Sequence, residues 1–152
     1  RKMIPESTIS TDIIAGFCGE TEEDHRQTLS LMEEVGFDSA FMFRYSERPG
    51  TLAARKYPDD VPSEVKARRL QEIIDLQHWH SLRSNRQDIG KTFEVLVEGS
   101  SKRSRAMLSG RNSQNKMVVF EPKKATRGQY VRVRITGCTQ ATLIGEEMED
   151  DL

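Results

Sequence analysis

The chain has 152 residues, enough for one ordinary domain or for part of a domain followed by one small module. Hydrophobic residues make up 36% and charged residues 31%, and no apolar run approaches the roughly 18 to 20 residues that span a bilayer. This composition excludes a membrane-spanning protein. The first residues, Arg1–Pro5, carry no apolar signal segment, so we expect a cytoplasmic protein with no membrane partner and a longer reading frame upstream.

The overall charge of −1 conceals a strong asymmetry along the chain. Residues 1–87 hold 12 Lys and Arg against 15 Asp and Glu, whereas residues 88–145 hold 11 against 4. The last segment, 146–152, has 5 acidic residues and no basic residue. A basic segment confined to one part of the chain indicates an RNA-binding surface, although charge runs also serve as solvated faces.

Neither the cysteines nor the histidine pair predicts a metal site. Cys18 and Cys138 lie far apart in the sequence without partners at metal-ligand spacing, so we interpret both as packed thiols. His78 and His80 flank Trp79 on a predicted helix, where a spacing of two residues directs the imidazoles to different faces. The two histidines are therefore expected to have surface or packing roles.

The first half of the chain has the pattern of a strand, a helix and a second strand. Residues 9–17 are apolar and β-branched, and Thr21–Asp24 forms a helix-capping signature. Gly36 predicts the helix end, and residues 38–45 predict another buried strand. A right-handed parallel βαβ unit is expected from this order.

The second half changes from helical to alternating periodicity. A loop is predicted over 46–62, and Ser63 caps a long helix from Glu64 to about Asp88. Beyond Gly90, five short alternating segments separated by turn residues predict a small closed or half-open β-barrel. These segments are 92–98, 104–110, 115–121, 130–138 and 141–145. The acidic residues from Glu146 onward predict a disordered tail.

Several motifs together resemble one enzyme family. They are STDIIAGFCGET at Ser10–Thr21, FDSAF at Phe37–Phe41, YSERPGT at Tyr45–Thr51, and LSGRN at Leu108–Asn112 with VVF at Val118–Phe120. In order and spacing, they look like the C-terminal part of the radical SAM methylthiotransferases. The greatest similarity is to the branch that methylthiolates isopentenylated adenosine beside the tRNA anticodon.

The resemblance implies a specific fold and function for each part. Residues 1–88 would be the last βα units of a partial radical SAM α/β barrel with a linking helix. Residues 89–146 would form a TRAM domain, an OB-like all-β small barrel that binds tRNA at the anticodon stem-loop, followed by the acidic tail, 147–152. The full-length transferase would use S-adenosylmethionine and two 4Fe-4S iron–sulfur clusters in tRNA processing. Its cluster cysteines would lie in N-terminal domains of the same polypeptide, so this fragment alone is expected to be inactive and to bind no cofactor.

Four residues of the α/β part are candidates for cofactor binding. Asp12 lies within a strand whose pattern predicts burial, and a buried carboxylate requires a partner. Gly16 and Glu20 belong to the following turn, and the ends of barrel strands face the active site. Arg48 follows the second strand, where it could bind a carboxylate or phosphate, or form a structural salt bridge with Glu47 or Asp38.

The candidate RNA-binding residues occupy one predicted strand start and two turns of the basic segment. They are Lys102, Arg103, Arg105, Arg111, Asn112, Asn115, Lys116, Lys123, Lys124 and Arg127. Phe93, Phe120 and Tyr130 all fit core positions, so stacking on bases is not expected. Recognition is predicted to depend on shape and phosphate contacts.

Two other functions remain open from the residues. The chain could be a stand-alone RNA-binding module with a degenerate partial barrel, which an upstream CxxxCxxC motif would contradict. Alternatively, it could belong to the sibling methylthiotransferases that modify an aspartate of a ribosomal protein, where the barrel would contact a protein. In either case a partial α/β barrel exposes apolar surface, so the fragment could self-associate.

Overall fold

A computed structural model describes residues 3–102, 104 and 106–149 of the chain. Its described residues form two compact units, an α/β unit of residues 9–80 and a barrel unit of residues 3–8 together with 81–149. These units are not identical to the predicted domains, because residues 81–88 group with the barrel. No helix in the described ranges is long and apolar enough to cross a membrane.

The α/β unit begins with the predicted parallel strand pair. Strand β1 (Ser10–Ala15) pairs with β2 (Ser39–Arg44), and helix α1 (Glu22–Val35) connects them. The predicted capping signature is confirmed: the Thr21 hydroxyl oxygen accepts from the backbone N–H of Asp24, whose carboxylate accepts from the Thr21 N–H. Helix α1 ends at Gly36, whose left-handed conformation (φ 60°) suits a residue without a Cβ.

The two strands are less buried than their composition predicts. The core of the unit contains Ala15, Met32 and Ile73, whereas Phe41 and Phe43 are exposed. Strands alternate their side chains between two faces, and here only one face of the two-stranded sheet is covered. The prediction that both strands are buried is therefore wrong for β1 and β2.

Two further helices follow β2 in the chain. The predicted loop of 46–62 contains a short helix, α2 (Leu52–Lys56), because the Thr51 hydroxyl caps it by accepting from the N–H of Ala54. This helix was missed in a segment rich in proline. The long helix α3 spans Ser63–Arg86 and begins within one residue of the predicted start.

The barrel unit contains five strands in a closed order. They run β3–β4–β5–β7–β6, and β6 pairs again with β3. Their bounds are Thr92–Ser100, Leu108–Asn112, Met117–Glu121, Tyr130–Cys138 and Leu143–Glu147 for β3 to β7. The predicted small barrel is confirmed and is closed, and its second strand begins four residues and ends two residues after the predicted segment 104–110. The core is a cluster of Val95, Val97, Val118, Phe120, Val133, Ile135 and Leu143.

Two glycines allow the strands to close around this core. A Cβ on Gly110 would lie 2.1 Å from the carbonyl oxygen of Leu96, and one on Gly145 would lie 2.5 Å from that of Arg134. Register shifts occur close by, between Val97 and Gly99 and within β6. Small barrels bend their strands at bulges and glycines, so these positions explain closure with only five strands.

The barrel extends further into the acidic C-terminal segment than predicted. Glu146 and Glu147 form the end of β7, and the Glu147 side chain is buried. The prediction that a disordered tail begins here is wrong for these residues, because strand pairing with β6 continues to Glu147. Residues 150–152 lie outside the described residues.

Candidate nucleic-acid interface

Two basic loops lie at the same end of the barrel. Strand register places the end of β3 beside the start of β4 (Ser100 opposite Leu108), and the start of β4 beside the end of β5 (Leu108 opposite Phe120). The β3–β4 loop and the β5–β6 loop therefore leave the barrel at one end. Exposed cations on these loops are Lys102, Lys123, Lys124 and Arg127. The predicted residues Arg103 and Arg105 lie outside the described residues.

A buried carboxylate holds the β5–β6 loop in place. The Glu147 Oε2 accepts from the backbone N–H groups of Lys123 (2.6 Å), Lys124 (3.2 Å) and Ala125 (3.3 Å). Three consecutive amides around one oxygen satisfy its charge without using a lysine side chain. The Lys124 ammonium remains exposed, and that of Lys123 lies 3.6 Å from Glu149.

The turn between β4 and β5 lies at the opposite end, and its side chains have structural roles. The Asn112 Oδ1 accepts from the backbone N–H groups of Gln114 (3.1 Å) and Lys116 (2.9 Å). Asn115 has a positive φ of 59°, which asparagine tolerates better than most residues. The structure thus engages Asn112 in closing the turn, away from the two basic loops.

Lys116 belongs to a buried ionic network rather than to an exposed patch. Its Nζ donates to Asp88 Oδ2 (2.6 Å) and to Ser84 Oγ (2.9 Å), and its side chain is 11% exposed. Asp88 also accepts from Lys91, and this hydrogen bond is the main reason why the pKa of Lys91 is raised. Sequence alone could not distinguish Lys116 from the exposed lysines, since its partner lies 28 residues earlier.

The outer face of the barrel carries Arg111 and an aromatic residue that the sequence prediction misplaced. Tyr130 is a predicted core residue, but the structure shows it 65% exposed at the start of β6. Alternation along β6 could have revealed the exposure of Tyr130. Val133 and Ile135 point inward, and Tyr130 is an odd number of positions away from both, so it points outward. Arg111 lies in the same cross-strand row, opposite Leu96, which in turn lies opposite Tyr130.

In the α/β unit, two candidate cofactor residues contact each other and a buried arginine. The Gly16 N–H donates to Glu20 Oε2 (2.9 Å), while Glu20 Oε1 accepts from Arg69 Nη1 (2.8 Å). Arg69, 4% exposed, also binds Glu22 (2.9 Å), and this interaction lowers the pKa of Glu22. A Cβ on Gly16 would lie 2.3 Å from Lys66 Cγ, so the lysine stem covers the turn.

The other two candidate cofactor residues are exposed. Asp12 does not have the buried position predicted from its strand. Among the described residues, neither the Asp12 carboxylate nor the Arg48 guanidinium has a hydrogen-bond or ion-pair partner. The alternative salt bridge of Arg48 with Glu47 or Asp38 is therefore not formed, and Asp38 accepts from the N–H of Ile9 (2.8 Å).

The residues present do not fit an iron–sulfur cluster. Such clusters are held by several cysteine thiolates, whereas Cys18 and Cys138 belong to different units and are free thiols. No group of three or more His, Cys, Asp or Glu within the described ranges could hold a metal ion.

Comparisons with known proteins relate the chain to one group of enzymes. Residues 86–147 match the model of the TRAM domain family. The chain is 60% identical to the tRNA-2-methylthio-N(6)-dimethylallyladenosine synthase of Phocaeicola vulgatus, over 97% of this chain and 32% of that protein. The synthase of the same name from Chlorobaculum tepidum is 59% identical, over 96% of this chain and 33% of that protein.

The chain thus spans about a third of the length of the curated relatives it matches. A third relative, the synthase of Amoebophilus asiaticus, is 60% identical over 96% of this chain and 30% of that protein. These matches confirm the resemblance to the methylthiotransferases: the chain contains a TRAM domain and is related, over nearly its whole length, to one part of these synthases.

Proposed function

We propose that this chain is the C-terminal part of a tRNA methylthiotransferase and that its barrel binds the tRNA substrate. The complete enzyme adds a methylthio group to isopentenylated adenosine beside the anticodon. The name shared by the relatives supports this assignment. The observation that carries it is the presence of exposed cations on two loops at one end of a barrel that matches the TRAM family.

The basic end has the chemistry expected for a phosphate backbone. Its cations come from two loops, and the Glu147 carboxylate that lies beneath one loop is already occupied by backbone amides. Lysine and arginine contacts release counterions from the nucleic acid, which makes binding strongly dependent on salt. We assign the phosphate contacts to Lys102, Lys123, Lys124 and Arg127, and exclude Asn112 and Lys116 because their side chains are engaged within the unit.

The α/β unit is proposed to be the closing part of a radical SAM barrel. Its parallel β1–α1–β2 arrangement supports this assignment, and its exposed apolar residues, Ile14, Phe41 and Phe43, would be covered by N-terminal domains of the same polypeptide. S-adenosylmethionine and both clusters would be held mainly by residues of those domains. In the isolated chain the same apolar surface favours self-association.

Binding of an anticodon stem-loop RNA at two salt concentrations tests the proposal. The variant Lys123→Gln with Lys124→Gln is expected to bind more weakly than wild type and to lower the slope of log affinity against log salt by roughly 0.7–0.9 per lost phosphate contact. The control variant, Arg55→Gln with Lys56→Gln, removes the same charge from exposed positions of the α/β unit.

The loop variant is expected to lose RNA affinity, and the control variant is expected to keep it. Equal losses of RNA affinity in both variants would indicate a nonspecific effect of net charge. They would contradict the assignment of the phosphate contacts to the barrel loops. Absence of salt-sensitive binding by the wild-type chain would contradict RNA binding itself. In the complete enzyme, the loop variant should lower kcat/KM for tRNA, while the control leaves it unchanged.

A further inference from the structure

Tyr130 has no structural role that explains its position on the barrel surface. The residue is 65% exposed, and within the described ranges its ring takes part in no aromatic pair or cation–π contact. Other residues anchor β6, the strand to which Tyr130 belongs, since Val133 and Ile135 are fully buried. An exposed tyrosine at a strand start is available for contact with a flat ligand.

The neighbours of Tyr130 form a row suited to a nucleotide. In strand order the outward residues of this row are Arg111, Leu96 and Tyr130, which bring together a guanidinium, an apolar side chain and an aromatic ring. Neighbouring strands are about 4.8 Å apart, so the arginine and tyrosine backbones lie about 10 Å apart across Leu96. No carboxylate belongs to the row itself.

Arg111 is held in place but retains donor capacity. Its Nη1 donates to the carbonyl oxygen of Asn115 (2.9 Å), and its Nε lies 3.5 Å from Glu98 Oε1. Its Nη2 has no partner among the described residues. A guanidinium fixed on one side and open on the other can bind a phosphate or the edge of a base.

The row also adjoins the basic loops. Tyr130 directly follows the β5–β6 loop, in which Arg127 and Lys124 are exposed. Backbone hydrogen bonds connect the end of this loop to β3, where the Val97 N–H donates to the carbonyl oxygen of Gln129 (2.9 Å). A strand of RNA bound through its phosphates at the loops would therefore pass close to the tyrosine ring.

We propose that Tyr130, with Leu96 and Arg111 beside it, forms a stacking site for one unpaired base of the bound RNA. This inference rests on the proposed RNA-binding function and adds to it a contact that distinguishes unpaired from paired RNA. Stacking on an aromatic side chain tolerates any base, because every base has a π face. The site therefore selects the single-stranded character of a loop rather than its sequence.

The test compares two RNAs and three variants of the chain. The RNAs are an anticodon stem-loop and a fully paired duplex with the same number of phosphates. Tyr130→Leu removes the ring but keeps an apolar side chain, and Tyr130→Phe keeps the ring. Ile144→Ala is the control, since Ile144 is also outward on the barrel (39% exposed) but pairs opposite Gly137, far along β6.

Tyr130→Leu is expected to bind the stem-loop roughly 5-fold to 100-fold more weakly, with unchanged duplex affinity and an unchanged salt slope. Tyr130→Phe and the control should bind both RNAs as the wild type does. With 2-aminopurine in the loop, wild type and Tyr130→Phe should quench its fluorescence on binding, whereas Tyr130→Leu should not.

The results separate this inference from the function on which it rests. If Tyr130→Leu binds the stem-loop as wild type does, and wild-type binding is salt-sensitive, the stacking site is absent while RNA binding by the loops stands. If wild type shows no salt-sensitive binding to either RNA, the proposed function fails and the stacking site fails with it.

Discussion

The barrel and the α/β unit bury apolar surface in different ways. In the barrel each strand is hydrogen-bonded on both sides, and the buried side chains form one cluster around Phe120. In the α/β unit the sheet has only two strands among the described residues, and Phe41 and Phe43 remain exposed on one face. Closure of a sheet removes its edges, which the two-stranded sheet cannot do.

Charged contacts take a larger part in organising the α/β unit. Arg69 on α3 binds both Glu20 and Glu22, and Arg68 binds Glu22 and Glu72. His25, buried on α1, has its Nε2 2.7 Å from Glu72 Oε2, which with Arg68 lowers the pKa of Glu72. We therefore expect the strands of the barrel to be sensitive to added volume, its buried charged groups to be sensitive to loss of a partner, and the α/β unit to be sensitive to changes in pH and salt.

The largest loss of stability is expected from Gly110→Ala in the barrel. The added methyl group would collide with the backbone carbonyl of Leu96, which cannot move without breaking the β3–β4 pairing. Overpacking of this kind should lower the free energy of unfolding of the barrel by about 3 kcal/mol or more. Chemical denaturation, monitored through hydrogen exchange of the barrel amides, measures this loss of stability.

Gly137→Ala is the matched control for this substitution. Gly137 also lies in a barrel strand next to a register shift, but a Cβ there meets no atom within 4 Å. Similar losses of stability in the two variants would mean that the flexibility of glycine, rather than the close approach of the strands, explains the need for glycine at position 110.

A smaller but still large loss is expected from Asp88→Ala. The substitution leaves the Lys116 ammonium, 11% exposed, without its carboxylate partner. Removing one partner of a buried ion pair should destabilise the barrel unit by about 3 kcal/mol. Glu121→Ala, at an exposed strand end, serves as a control for loss of an acidic residue.

A second substitution separates the ion pair from simple loss of packing. If the isolated charge is the cause, adding Lys116→Met to Asp88→Ala should recover part of the lost stability. A double variant no more stable than Asp88→Ala alone would contradict this explanation.

Glu147→Ala should have an intermediate effect centred on the β5–β6 loop. Three backbone N–H groups lose their common acceptor. We therefore expect the free energy of unfolding to fall by about 2 kcal/mol and the amides of residues 123–125 to exchange faster. Glu146→Ala changes the exposed neighbour on the same strand and should have little effect. Equal effects of the two substitutions would contradict the structural role of Glu147.

The smallest effect is expected from Thr21→Ala at the start of α1. Loss of the cap should destabilise the α/β unit by about 1 kcal/mol, measured by hydrogen exchange of the α1 amides. Ser30→Ala, at an exposed position in the same helix, is the control. No change in exchange relative to the control would contradict the role of the cap.

The same variant tests the pH dependence of the α/β unit. The backbone N–H of Thr21, and then its hydroxyl, lower the pKa of Asp24 below its ordinary value. A lowered carboxyl pKa stabilises the fold above the ordinary pKa and loses this contribution as the pH falls through the lowered value. Thr21→Ala keeps the backbone N–H and loses only the hydroxyl, so wild type should lose α1 stability on acidification slightly more steeply than the variant does.

Local chemistry explains what was predicted correctly from the sequence. The cap at Thr21, the helix end at Gly36 and the alternation of the barrel strands depend on residues close together in the chain. Backbone sterics and short-range hydrogen bonds decide such features, so a single sequence carries them. The short helix α2 was missed because its cap, Thr51, lies in a proline-rich segment that is typical of a loop.

The family resemblance and the presence of a small barrel were also determined by the sequence alone. Which polar residues face solvent was decided only by the tertiary structure. The Lys116 side chain is largely covered and Glu147 is buried, because the fold of the barrel unit brings Asp88 to the first and the 123–125 amides to the second. Tyr130 differs from these two residues, because alternation along β6 alone places it on the face opposite to Val133 and Ile135. Long-range pairing selects the partners of Lys116 and Glu147, and no local pattern encodes those partners.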